Sequence, residues 1–118
     1  MYNIQLKRAY APAEKKDGFR ILIDRLWPRG ITKAHAHADV WMKTIGPSAE
    51  LRKWFDHDPA KWMVFKKKYM VELKQSRAVP EILEYCKTNK MVTLLYAAKD
   101  EAHNHAIVLR LYLNARLK

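Results

Sequence analysis

Met91-Val92-Thr93-Leu94-Leu95-Tyr96-Ala97 is an apolar run of strand length, rich in β-formers and interrupted only by Thr93. A run without apolar/polar alternation suits a strand covered on both faces, as the strands of parallel sheets are. Ala97 and Ala98 keep its exit small, and Lys99-Asp100-Glu101-Ala102-His103-Asn104-His105 leads into a segment, 101–116, that reads as a helix. The junction between a strand's carboxyl end and a helix N-terminus is where open α/β sheets hold ligands. Unsatisfied backbone N–H groups and the helix dipole both favour an anion there.

A second short and almost wholly apolar run, 19–23, stops at Asp24-Arg25-Leu26-Trp27-Pro28-Arg29-Gly30. One loop thus receives an acid and two arginines. Gly30 permits the turn and Pro28 biases Trp27 towards an extended backbone, so the loop is expected to hold a fixed shape. Upstream, Ile4-Gln5-Leu6-Lys7-Arg8 alternates as a half-buried strand does. Residues 11–18 read as a loop, 32–39 as a short polar helix or loop, and 40–45 stay open between strand and helix. Ser48 fits the N-cap of a short helix over 49–55, without a local capping box because Leu51 holds the N3 position. Asp58 and Pro59 fit the N-cap and N1 of a helix over 59–75, with Trp62, Phe65, Tyr69 and Leu73 on its apolar face. A further helix over 80–88 turns Ile82, Leu83 and Cys86 inward. The order β-β-α-α-α-β-α predicts the α/β class: one small domain over 1–118, with a short, mostly parallel sheet flanked by helices.

At 118 residues and 49% hydrophobic content, the chain can bury a core without staples. Its lone cysteine, Cys86, excludes an internal disulfide and suits a reducing compartment. Met1-Tyr2-Asn3 does not open a secretory signal, and no apolar run approaches the ~18 residues of a membrane span. A cytoplasmic protein with no membrane partner is expected. Three glycines leave no phosphate-binding loop, no serine stands in a nucleophile elbow, and no cofactor motif is legible.

The excess of 23 basic over 12 acidic residues, +11 in all, attracts small anions and nucleic acids alike. On the 59–75 helix, however, Lys67 and Lys74 lie on one flank of the apolar face, Lys61 and Lys68 on the other, and Lys66 beside Trp62. A groove-reading helix wants its cations on one exposed face. These read as solvated lysines, which leaves nucleic-acid binding as the second reading.

With the last helix drawn from 101, His103, Arg110 and Asn114 form a polar stripe. His105 falls opposite, among Val108, Leu109 and Tyr112. His103 is then solvated, while Asn104 and His105 point inward near the strand end. His105 is either a satisfied core histidine or a general acid or base tuned by burial. His103 and His105, about 200° apart on a helix, do not chelate one metal, and His35 and His37 sit in an exposed segment. Trp54, Phe55, Trp62 and Cys86 read as core.

Three blocks carry a resemblance: residues 20–30 with Asp-Arg-Leu-Trp-Pro-Arg-Gly; Pro47-Ser48 with Leu51-Arg52-Lys53-Trp54-Phe55-Asp56-His57-Asp58-Pro59; and residues 93–106. Together they resemble the DUF488 family, in its YeaO-like branch of bacterial proteins. The resemblance covers essentially the whole chain and implies a small cytoplasmic α/β protein of no established activity. Some relatives carry a tetrapyrrole methyltransferase label, but no methyl-donor fingerprint stands here. A second branch of the family ends its last strand in a Cys-His-Arg triplet. Here only the histidine is kept, as His105; Asn104 and Ala106 replace its neighbours, and Tyr96 and Ala98 stand where that branch has a cysteine and a glutamate. Thiol chemistry therefore does not carry over.

The expected site is a basic cleft at the strand ends. Arg25, Arg29, Lys99 and Asn104 would bind a small anionic ligand, and His105 would move the proton while Asp24 orients an arginine. By the resemblance, His57 and Asp58 join if the central loop folds over. Hydrolysis or transfer at a phosphate or carboxylate is the expected reaction class, with no cofactor. A non-catalytic nucleic-acid binder and a purely structural network of Asp24, Arg25 and Arg29 are the competing readings.

Overall fold

The computed structural model describes residues 2–118; Met1, part of the stretch read above for a signal, lies outside them. Four strands form one sheet: β1 (Asn3–Arg8), β2 (Phe19–Leu22), β3 (Val40–Trp41) and β4 (Met91–Tyr96). Their order is β1-β4-β2-β3, and every pairing is parallel. The run that opened the sequence reading is therefore an inner strand, with Leu94 opposite Leu6 on one side and Ile21 on the other. Having partners on both edges explains why β4 carries no polar edge positions.

Strand alternation divides the apolar residues between two faces. Ile21, Ile23, Val92, Leu94 and Tyr96 share the main core with α2 (Ala49–Phe55), α3 (Trp62–Gln75), α4 (Val79–Thr88) and α5 (His105–Arg116). On the opposite side a small apolar cluster, Ala9, Leu22 and Leu95, is buried under Trp27, Ile31, Ala38 and Trp41. The four longer helices thus all cover one face. The other is closed by turns and by the four-residue α1 (Lys33–Ala36).

The reason is chemical. Gln5, Arg20 and Thr93 stand in register across three strands on that second face, and polar side chains need hydrogen-bond partners that an apolar helix lacks. Asp17, in a 3-10 turn over Lys15–Asp17, supplies them. Its carboxylate accepts from Gln5 (2.9 Å), Lys7 (3.0 Å) and Arg20, and its carbonyl accepts from the Thr93 hydroxyl (2.6 Å). Asp17 is 0% exposed and Arg20 is 4% exposed. Arg20 also donates to the carbonyls of Ala36 and His37, tying down the chain that follows α1. Burial alone would raise the Asp17 pKa. Hydrogen bonds from the Glu14 backbone, Lys7 and Arg20 outweigh it and hold the carboxyl below its ordinary value.

Several boundaries differ from the sequence expectation. β2 stops before Asp24, although Ile23 still donates to Leu95 and extends the ladder (3.1 Å). Residues 40–45 divide into the two-residue β3 and a 3-10 turn, Lys43–Ile45. The 59–75 helix opens with a 3-10 turn, Pro59–Lys61, capped by Asp58 as expected. The last helix starts at His105, not at 101. Two good N-cap residues compete there: the Asp100 carboxylate takes the N–H groups of Ala102 and His103 and closes a turn, while Asn104 caps α5. No helix among the described residues is long and apolar enough to cross a membrane.

Candidate functional site

The loop after β2 is held rigid by two indoles. Trp27 donates to the Ile31 carbonyl (2.6 Å) and Trp41 to that of Asp24 (2.7 Å), and the two rings meet edge to face at 5.4 Å. Gly30 makes the turn with φ +78, where a side chain would be strained. Across the strand ends, Arg8 donates to the carbonyls of Ala97 and Ala98 and fixes the exit of β4.

Asp24 and His105 meet between these anchored segments. The Asp24 Oδ2 atom accepts from the Ala97 N–H (3.0 Å), and Oδ1 lies 3.0 Å from His105 Nε2. The same nitrogen lies 3.3 Å from the Ile23 carbonyl. A carbonyl only accepts, so Nε2 carries the proton and directs it at Ile23. Asp24 Oδ1 is then beside the N–H but off its axis, buried without an aligned donor. The two side chains are 14% (His105) and 16% (Asp24) exposed. The Tyr69 ring covers the imidazole edge to face at 6.3 Å. Tyr69 itself is buried and donates to the Ile45 carbonyl (2.8 Å); burial, with the Glu72 and Asp24 charges, pushes its phenol far above the ordinary range.

The negative group that a strand exit and a helix N-terminus attract is therefore supplied by the chain itself. Asp24 stands at the exit of β4, where its carboxylate accepts from the Ala97 N–H. Among the described residues, no serine, threonine or cysteine hydrogen-bonds to His105.

The remaining candidates disperse. The Asn104 side chain is committed to the α5 cap and to the Asp100 carbonyl (3.0 Å). Arg29 and Lys99 are exposed, and the carbonyl of Arg29 accepts from the Tyr10 hydroxyl. His57 is exposed with φ +54, and the Asp58 carboxylate is engaged by the Ala60 N–H. Neither makes a polar contact with Asp24, Arg25 or His105. His103 lies before the helix, not on its polar stripe. It pairs with Asp100 (2.9 Å) and meets Trp62 edge to face at 5.4 Å. Asp24 forms no ion pair with Arg25 or Arg29; the buried acid–arginine pair is Asp17–Arg20.

Arg25 turns away from His105. Its Nε donates to the Pro47 carbonyl (2.9 Å) and its Nη2 to that of Gly46 (2.9 Å). It forms part of the wall of an open cavity of about 580 Å³ with Ser48, Tyr69, Glu72, Ser76 and Arg77. The sequence reading missed Glu72 and Arg77. Glu72 accepts from both the N–H (2.8 Å) and the hydroxyl (2.6 Å) of Ser48, while Ser48 caps α2 through Leu51. The acid that a local capping box would place at Leu51 comes instead from α3.

Fold and site together describe a parallel α/β domain with an Asp24–His105 pair at its strand ends and, alongside, an open cavity lined by Arg25, Arg77, Glu72 and Glu81. Residues 3–118 match the family model described as the inactive DUF488-N3 subclade, and the chain belongs to that family. It is 46% identical over 113 residues to the uncharacterised protein YeaO of Escherichia coli, covering 96% of this chain and 98% of that protein. The uncharacterised protein Rv3073c of Mycobacterium tuberculosis is 37% identical over 113 residues, covering 96% of this chain and 95% of that protein. Mb3100c of Mycobacterium bovis is similar to the same degree. No solved structure gives a significant match.

Proposed function

We propose that this protein binds a small carboxylate or phosphate ligand without turning it over, with Arg25 as the anchor. The observation that carries the reading is the state of the Arg25 guanidinium. Two main-chain carbonyls fix its side-on edge, while its end-on edge has no partner among the described residues and the residue lines the 580 Å³ cavity. A planar fork immobilised in this way is suited to bidentate recognition of a carboxylate or phosphate. Arg77 adds a second cation at the cavity wall. Two carboxylates, Glu72 and Glu81, share that wall. They oppose an anion less than their charges suggest, because Ser48 engages both oxygens of Glu72 and the Tyr85 hydroxyl donates to Glu81. Arg29 and Lys99 act at longer range, through the overall field of a +11 chain. Two features support binding without turnover: no serine, threonine or cysteine among the described residues hydrogen-bonds to His105, and the family is described as inactive.

Thermal shift and calorimetry with phosphate, citrate and short dicarboxylates test the reading. A ligand of the folded state raises Tm. Arg25→Ala and Arg77→Ala are expected to lose that binding, and His105→Ala to keep it. Unchanged affinity in folded Arg25→Ala and Arg77→Ala overturns the proposal. The +11 charge also favours a nucleic-acid reading. Micromolar binding to a duplex, with a steep salt dependence and indifference to Arg25, selects that one instead.

A further inference from the structure

Six residues on the outward side of α3 take no part in the cavity or in the core: Met63, Val64, Lys67, Lys68, Val71 and Lys74 are all exposed. At about 100° per residue these positions fall in one arc of roughly 140°. Met63 is 64% exposed, Val71 54% and Val64 47%. A helix that merely faced water would carry polar residues there. The arc also holds three lysines and no acid. The single carboxylate of α3, Glu72, points inward to Ser48. None of the three lysines pairs with a carboxylate among the described residues. Lys68 lies over the ring of Trp54, 4.3 Å from its centre, which extends the patch across α2.

We infer that this face of α3 docks an acidic amphipathic helix of another protein. Aliphatic side chains interleaved with unpaired lysines call for a partner that brings apolar groups at i, i+3 or i+4, and i+7, with carboxylates beside them. Charge complementarity of this kind sets the rate and selectivity of docking, while the apolar contacts hold the complex. A second copy of the chain is a poor occupant. An isologous contact would set three lysines against three lysines on molecules that each carry +11. Nucleic acid would leave the aliphatics unused, because bases stack on aromatic rings and the one ring at this patch, Trp54, is already covered by Lys61 and Lys68. Three exposed aliphatics beside a half-buried Trp54 covered by Lys61 and Lys68 also make a weak membrane anchor.

The probe is a fluorescein-labelled 18-residue peptide built from leucine, alanine and glutamate, with its leucines on one helical face. A scrambled peptide of identical composition controls for charge alone. Anisotropy should show the amphipathic peptide binding, with the scrambled form at least about tenfold weaker. Lys67→Glu/Lys74→Glu and Val71→Asp should each weaken binding by a similar factor. Lys15→Glu/Lys90→Glu, on the opposite end of the sheet, should leave it unchanged. These are surface positions, and circular dichroism verifies that each variant is folded. Equal binding of both peptides overturns the inference, as does indifference to the α3 substitutions. Stronger binding of duplex DNA or anionic phosphatidylglycerol vesicles through the same lysines also overturns it, and so does self-association seen by sedimentation.

Discussion

Replacing Asp17 by asparagine keeps the shape of the side chain and removes its charge. The substitution leaves Arg20, 4% exposed, without the carboxylate that neutralises it. It also takes one carboxylate from Lys7. Removing one partner of a buried ion pair costs about 3–5 kcal/mol, because the other charge stays buried. An unfolding entropy of roughly 2.1 cal/mol/K per residue gives a chain of this size a slope of about 0.25 kcal/mol per kelvin. The expected loss is therefore ~12–20 K in Tm at neutral pH, read by differential scanning calorimetry. The sign of the pH dependence follows from the depressed folded-state pKa of Asp17, against an ordinary value of 3.8. Its contribution is fully present above that ordinary value and is lost as pH falls through the folded one. The gap between the native chain and Asp17→Asn should accordingly narrow in acid. The double variant Asp17→Leu/Arg20→Met should lose less than the two single changes together, since it removes both charges. A Tm loss in Asp17→Asn of less than about 4 K, or a gap that stays constant into acid, refutes this account of the polar face.

The remaining expectations concern two glycine turns and one thiol. A Cβ at Gly18 would sit 2.2 Å from the Met91 carbonyl oxygen on a backbone with φ +65, so Gly18→Ala should unfold or grossly destabilise the chain. At Gly30 nothing lies within 4 Å, and Gly30→Ala should lose only about 1 kcal/mol from its positive φ in urea titration. Burial pushes the Cys86 thiol up to about 11, so iodoacetamide at pH 8 should label it only after denaturation.

Much of the fold was legible because its signals are local. The helix at 49–55 and its Ser48 cap, the Asp58 cap and the inner character of 91–97 depend on neighbours within a few residues. The inward turn of His105 was legible too: the wheel phase over 105–116 is the same wherever the helix starts. His103 was misplaced for the complementary reason, since a wheel says nothing about a residue that precedes the helix. Asp17 was invisible. It sits in a charged, loop-like stretch, and its burial requires Gln5, Arg20 and Thr93 to align across three strands. The sequence groups Arg25 with His105, but the carbonyls that claim it, at Gly46 and Pro47, belong to a break in the chain with no signal for accepting an arginine. The acid between His105 and Ala97 likewise followed from proximity in space, not from any motif.

The seat of β4 between β1 and β2 has a consequence for biosynthesis. Its residues are the last of the four strands to leave the ribosome, yet they alone join the first strand to the other two. A nascent polypeptide halted before Met91 therefore has no way to knit its amino-terminal third together, and its sheet-forming segments remain open to chaperones and to one another. Shortening the gene from its 3′ end should yield insoluble product rather than a smaller version of the same architecture.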